Sequence, residues 1–130
     1  MKTSAILIQA MERVSEPDAF VKNRLAVTSV GFKTNPCSAE DVVAFNTVGS
    51  LLRTLSKHPE DTTPRSLRSP TQRLFASDAY SYLTDCAKAL GFKTISDLDE
   101  FGSAAQRQLM WDNALTSALI AEEISDHDGL

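Results

Sequence analysis

Three groups of side chains in this 130-residue chain have types and spacings from which chemistry can be built. Cys37 stands directly before Ser38-Ala39-Glu40-Asp41, a hydroxyl followed by acids that reads as a capped helix start. A helix N-terminus lowers a thiol pKa, so Cys37 can be drawn as a nucleophile with His58 as its base, although no spacing joins the two. Asp97, Asp99 and Glu100 form an acidic cluster. Paired carboxylates perform acid and base work, but acids also gather where a short helix begins, and that is the simpler explanation. Arg65, Arg68 and Arg73 fall among Ser66, Ser69 and Thr71, a basic patch suited to a phosphate or an acidic protein surface; a solvated loop is the plainer reading.

Beyond these groups the sequence excludes more than it offers. His58 and His127 have no second His, Cys or acid at a metal-ligand spacing. There is no phosphate-binding glycine loop, nucleophile elbow or zinc-protease helix, and the five glycines are scattered at 31, 49, 91, 102 and 129. The expectation is therefore no catalytic, metal or cofactor residue. Thirteen basic against seventeen acidic side chains leave a net charge of −4, which opposes wrapping of nucleic acid and leaves it only a local contact. The acid excess lies in residues 58–130, where a basic partner would be favoured.

Two cysteines are too few for a disulfide scaffold, and Cys86 falls on an apolar helical stripe as a small core residue. Gln9 and Glu12 interrupt the opening segment before a signal-peptide core forms, and no apolar run approaches the roughly 20 residues of a membrane span. A cytoplasmic protein without a membrane contact is expected.

The elements that must position these residues are mostly helical. Thr3, Ile6, Leu7, Ala10, Met11 and Val14 make one apolar stripe, ended by Ser15-Glu16-Pro17. Leu25 to Val30 is β-branched enough for a short strand. A second helix is expected from Ser38, its Val42, Val43, Phe45, Val48, Leu51, Leu52 and Leu55 covering most of its circumference, with Gly49 admitting a neighbouring helix. Residues 57–70, with Pro59, Pro64 and Pro70, read as a mobile surface loop. A third helix is expected from Ser69 to Gly91, with Phe75, Ala79, Tyr82, Leu83, Cys86 and Leu90 on its stripe. A single turn at Ser96–Phe101 follows. Ser103-Ala104-Ala105-Gln106 then caps a last helix reaching about Ile124, with Trp111, Leu115, Ala118 and Leu119 on its apolar face and Met110, Ala114 and Ala121 widening it for core packing. Gly31-Phe32-Lys33-Thr34 recurs as Gly91-Phe92-Lys93-Thr94, each copy a glycine turn followed by an anchoring aromatic. Glu122, Glu123 and Asp126 crowd the negative end of the last helix, which predicts fraying or a cationic partner.

The order of these pieces resembles a family of small bacterial and phage proteins, a domain of unknown function. The opening helix Ile6-Leu7 to Val14, the run Pro17-Asp18-Ala19-Phe20-Val21-Lys22, the segment Ser38 to Leu52 with Gly49, and the stretch Phe101 to Leu119 carry the resemblance. Members of that family carry tryptophan where Phe20 stands and cysteines near Val43 and Phe45. This sequence departs there, so an activity resting on those cysteines is in doubt. The resemblance implies a phage or mobile-element setting in which a small acidic protein binds and blocks a host protein complex, including defence complexes such as CRISPR effectors.

The expected fold is a mainly α, single-domain bundle of four or five helices over residues 1–130, with room for one short strand pair. The expected function is a non-catalytic interaction module with Arg65, Arg68, Arg73, Glu122, Glu123 and Asp126 as its partner-binding residues. Two alternatives stay open: a homodimeric or self-assembling structural protein using a broad apolar helix face, and a small enzyme using Cys37 or the Asp97–Glu100 carboxylates.

Overall fold

The computed structural model describes residues 2–37, 41–57 and 69–128. Among them are six α-helices: α1 (Thr3–Arg13), α2 (Thr47–Lys57), α3 (Pro70–Ala76), α4 (Asp78–Ala89), α5 (Ile95–Phe101) and α6 (Ala104–Asp128). The strands β1 (Ala26–Val27) and β2 (Ala44–Phe45) pair antiparallel, with Ala26 opposite Phe45 and Val27 opposite Ala44. The fold is mainly α with one small sheet. The 57–70 loop lies outside the described residues apart from its ends.

Helix α1 follows its apolar stripe, burying Ile6, Leu7 and Ala10. Its N-terminal residue supplies no side-chain cap, so the need is met from the far end of the chain. Ser4 donates its N–H and Oγ–H to the Glu122 carboxylate of α6, at 3.0 and 2.7 Å.

The second helix begins at Thr47, nine residues later than the Ser38 pattern implies. Ser38 and Glu40 lie outside the described residues, while Asp41 is exposed and accepts a hydrogen bond from Ser29 Oγ. Phe45 instead lies in β2 and Val43 flanks it, donating its N–H to Val27 O at 3.0 Å, in keeping with their β propensity. The side chain that ends the strand and opens the helix is Asn46, whose Oδ1 accepts from Gly49 N at 2.7 Å.

The expected third helix is two. Ser77 closes α3 and caps α4 through a 3.0 Å hydrogen bond from Tyr80 N, its extended backbone breaking the helical ladder between them. Phe75 consequently leaves the stripe and is 60% exposed, stacked edge-on against Tyr80. Thr94 caps α5, and Ser103 with Gln106 forms the expected reciprocal capping box of α6.

One core joins these helices. Leu51, Leu52 and Leu55 of α2 pack among Ile6, Leu7 and Ala10 of α1, Leu83 of α4, Leu98 of α5, and Met110 and Trp111 of α6. The two glycine-turn copies behave differently within it. Both glycines take the left-handed backbone, with φ of 86° and 96°, but Phe92 packs against the core while Phe32 is 71% exposed.

Gly49 has a different neighbour from the expected helix. A Cβ there would lie 1.8 Å from the Leu25 carbonyl oxygen, so it is the extended chain entering β1 that crosses α2 at this point. That crossing also receives the Asn46 N–H at 3.3 Å. Gly49→Ala is expected to destabilise the fold by about 1–3 kcal/mol or more, read from the urea midpoint, because backbone has to move. An unchanged midpoint would contradict the crossing.

Candidate functional site

The polar chemistry of the described residues is concentrated on one face of α2. Thr47, Ser50 and Thr54, spaced three and four apart, are completely buried and each hydroxyl is used. Thr47 donates its N–H and Oγ1–H to the two carboxylate oxygens of Asp99 on α5, at 2.8 and 2.6 Å. Ser50 Oγ donates to Ala10 O of α1 at 2.6 Å, and Thr54 Oγ1 to Ser50 O at 3.1 Å. Arg13, at the end of α1, reaches across to Ser50 O and Thr54 Oγ1, with its guanidinium 5.6 Å from the Phe45 ring centre. Burial, with help from the charge of Arg53, pulls the Arg13 pKa below its ordinary value.

Asp99 is thus the one member of the acidic cluster held in the interior. Only Asp97 sits in the first turn of α5, where the helix-start explanation applies. Burial pushes the Asp99 carboxyl pKa up, opposed by both Thr47 hydrogen bonds and by the charge of Arg107. Beside it lies a cavity of about 250 Å³, lined in part by Asn23, Arg24, Asn46, Ser96 and half-buried Glu100. Glu100 Oε2 is enclosed and has no hydrogen-bond partner among the described residues.

Cys37 is followed, over the described residues 41–46, by chain that is not helical. It lies in a turn, half-buried, with its thiol directed to Leu52 O at 3.8 Å, and burial raises its pKa despite the positive charges of Arg53 and Arg73. The activation expected from a helix N-terminus is therefore missing, and His58 lies outside the described residues. Cys86 packs partly against the core as anticipated, its pKa also raised by burial. No group of three or more His, Cys, Asp or Glu able to hold a metal ion occurs among the described residues.

Of the expected partner-binding residues that are described, Arg73 lies on α3 and Glu122 and Glu123 lie on α6. Arg65 and Arg68 lie outside the described residues. Arg73 is half-buried on α3, its Nε enclosed without a partner among the described residues. Glu122 is turned inward, its carboxylate engaged by Ser4, while Glu123 is exposed and Asp126 falls in the last turns of α6. The acids at that helix end do not share one task.

Two surface features stand apart from these residues. One is a cavity of about 220 Å³ between the end of α1 and the beginning of α6, walled by Met11, Val14, Pro17, Phe20 and Trp111. At its edge the Arg107 guanidinium stacks 4.1 Å from the Phe20 ring centre. The spacing of Phe20 and Arg107 in sequence, 87 residues apart, carries no signal of this contact. The other feature is the outward face of α6. Ala118 is the last buried residue of that helix among those described, while Leu109, Leu119, Ile120 and Ile124 are 45–56% exposed, so Leu119, like Ala121, lies off the core face expected for it.

The chain matches no protein-family model, no curated protein and no solved structure. No helix among the described residues is long and apolar enough to cross a membrane.

The buried carboxyl yields a pH prediction with a definite sign. Folding favours the protonated form of Asp99, so its contribution to stability is full at pH below the ordinary carboxylate pKa and is lost as pH rises through the raised folded value. Asp99→Asn, which keeps an acceptor for Thr47, is expected to remove that pH dependence and to gain on the native protein as pH rises. Asp99→Ala strands both Thr47 donors and is expected to cost about 2–4 kcal/mol at neutral pH. Urea denaturation of the three proteins across acidic and neutral pH measures both effects, and parallel pH profiles would refute the assignment.

Proposed function

We propose that this chain is a non-catalytic protein-interaction module whose contact surface is the outward face of α6. The observation that carries this reading is the row Leu109, Ile120 and Ile124. At 100° per residue these three fall within about 60° of one another, with Asn113 and Thr116 between them and exposed Leu119 alongside. A helix that has already buried Met110, Trp111, Ala114 and Ala118 in its own core does not need a second apolar stripe for folding.

The chemistry beside the stripe favours a basic partner. No lysine or arginine follows Arg107 in the sequence, whereas Asp112 and Glu123 are exposed on α6. A second copy of α6 laid parallel would bring acids toward acids. A partner offering apolar side chains with a basic rim is the better complement. The family resemblance supplies the setting: a phage or mobile-element protein that binds and modulates a host complex, a defence complex among the candidates.

The test is a tagged pull-down from bacterial lysate at low and high salt, using the native chain and Ile120→Asp/Ile124→Asp. The native chain is expected to retain a stoichiometric protein partner that thins at high salt, and the double variant to lose it while keeping its circular dichroism. A partner held equally by the variant would remove α6 from the interface. A dimer in sedimentation that the variant disperses would replace this reading with self-assembly.

A further inference from the structure

We propose that the cavity between α1 and α6 is a binding site for a small aryl carboxylate, its ring held against Trp111 and its carboxylate by Arg107. The cavity is separate from the outward face of α6, and the inference does not depend on a protein partner.

Size sets the first limit. An apolar cavity of roughly 150 Å³ accommodates benzene, so a space of about 220 Å³ takes one aromatic ring with a short side arm. Met11, Val14, Pro17, Phe20 and Trp111 present apolar and aromatic surface to such a ring. Trp111 is 3% exposed and held by the core, so it meets the space only at an edge, and Met11, Val14, Pro17 and Phe20 supply most of the apolar wall.

Charge sets the second limit. Among the described residues, Arg107 is the one charged side chain lining the cavity. Its guanidinium is fixed twice, by its stacking on Phe20 and by donation from Nη1 to Gly102 O at 3.2 Å. Phe20 is in turn fixed by the sheet, because it bridges to Phe45 and the neighbouring Val21 N–H donates to Phe45 O at 3.0 Å. An arginine has five N–H donors, and a planar fork held this way is prepared for a carboxylate at little further entropic cost.

No acidic side chain lines the cavity among the described residues, and the charge interaction that Arg107 makes comes from behind it. Gln108 Nε2 is drawn to Asp112 Oδ1 at 2.9 Å and to Met11 Sδ at 3.6 Å. Glu12, Glu16 and Asp18 are exposed, and none lines the cavity. Asp99 acts on Arg107 through space from the interior. A cationic ligand would meet Arg107, and a bare phosphate would leave the aromatic wall uncovered. A ring bearing a carboxylate uses both.

Trp111, the chain's single tryptophan, reports on the site directly. Titration with 3-phenylpropionate is expected to change its fluorescence saturably, and 3-phenylpropionamide to bind about ten-fold more weakly or worse. Arg107→Gln is expected to lose about ten-fold for the acid and to leave the amide unaffected, with unchanged circular dichroism. Equal affinity for acid and amide, or no saturable change up to millimolar acid, would overturn the proposal using the native protein alone. Undiminished acid binding in a folded Arg107→Gln would overturn the role of the guanidinium.

Discussion

A row of buried hydroxyls on α2 constrains everything around it. Thr47, Ser50 and Thr54 sit at the centre of the molecule, where a hydroxyl without a partner costs about 1–3 kcal/mol. Each one therefore dictates the place of a neighbour. Thr47 requires Asp99 and so locates α5. Ser50 requires the Ala10 carbonyl and so sets how closely α1 approaches. Thr54 and the Ser50 carbonyl receive Arg13, which sets the register of α1 along α2. Leucines alone would supply comparable burial without choosing between registers, since apolar contact is non-directional.

The consequences reach the surface. With α1 fixed by α2 and tied to α6 through Ser4 and Glu122, the end of α1 stands beside the first turns of α6 and the cavity between them is held open by elements that cannot easily collapse. The sheet contributes from the other side by seating Phe20 beneath Arg107. Helix α6 has its core face fully used by Ala118, so its outward leucine and isoleucines are left to whatever docks there. The same packing thus produces two surface features of different character, a small cation-edged cavity and a broad apolar face.

Much of this architecture is legible in the sequence where a short-range signal acts alone. The stripe of α1, the Ser103 and Gln106 box, and the Met110, Trp111, Ala114 and Ala118 part of the core face of α6 follow directly from spacing and caps, whereas Leu119 and Ala121, expected on that face, are exposed. Errors arise where two local signals compete. Ser38-Ala39-Glu40-Asp41 has the form of a helix start, but Val42 to Phe45 favours a strand, and Asn46 with its reach to Gly49 is the cap that prevails. Ser77 breaks a segment whose apolar spacing runs on unbroken. The same holds for the candidate site. Asp99 and Glu122 look like their acidic neighbours, and only the buried Thr47 and Ser4, 52 and 118 residues away, turn them inward.

The account stands on the cooperation between Arg13 and the hydroxyl row of α2. A double-mutant cycle with Arg13→Met and Thr54→Val, followed by urea denaturation, tests it most directly. If Arg13 and Thr54 act as one buried network, the two substitutions together should cost less than the sum of the single costs by about 1 kcal/mol or more. Strictly additive effects would mean that the helices are placed by apolar packing and that the hydroxyl row is incidental to the fold.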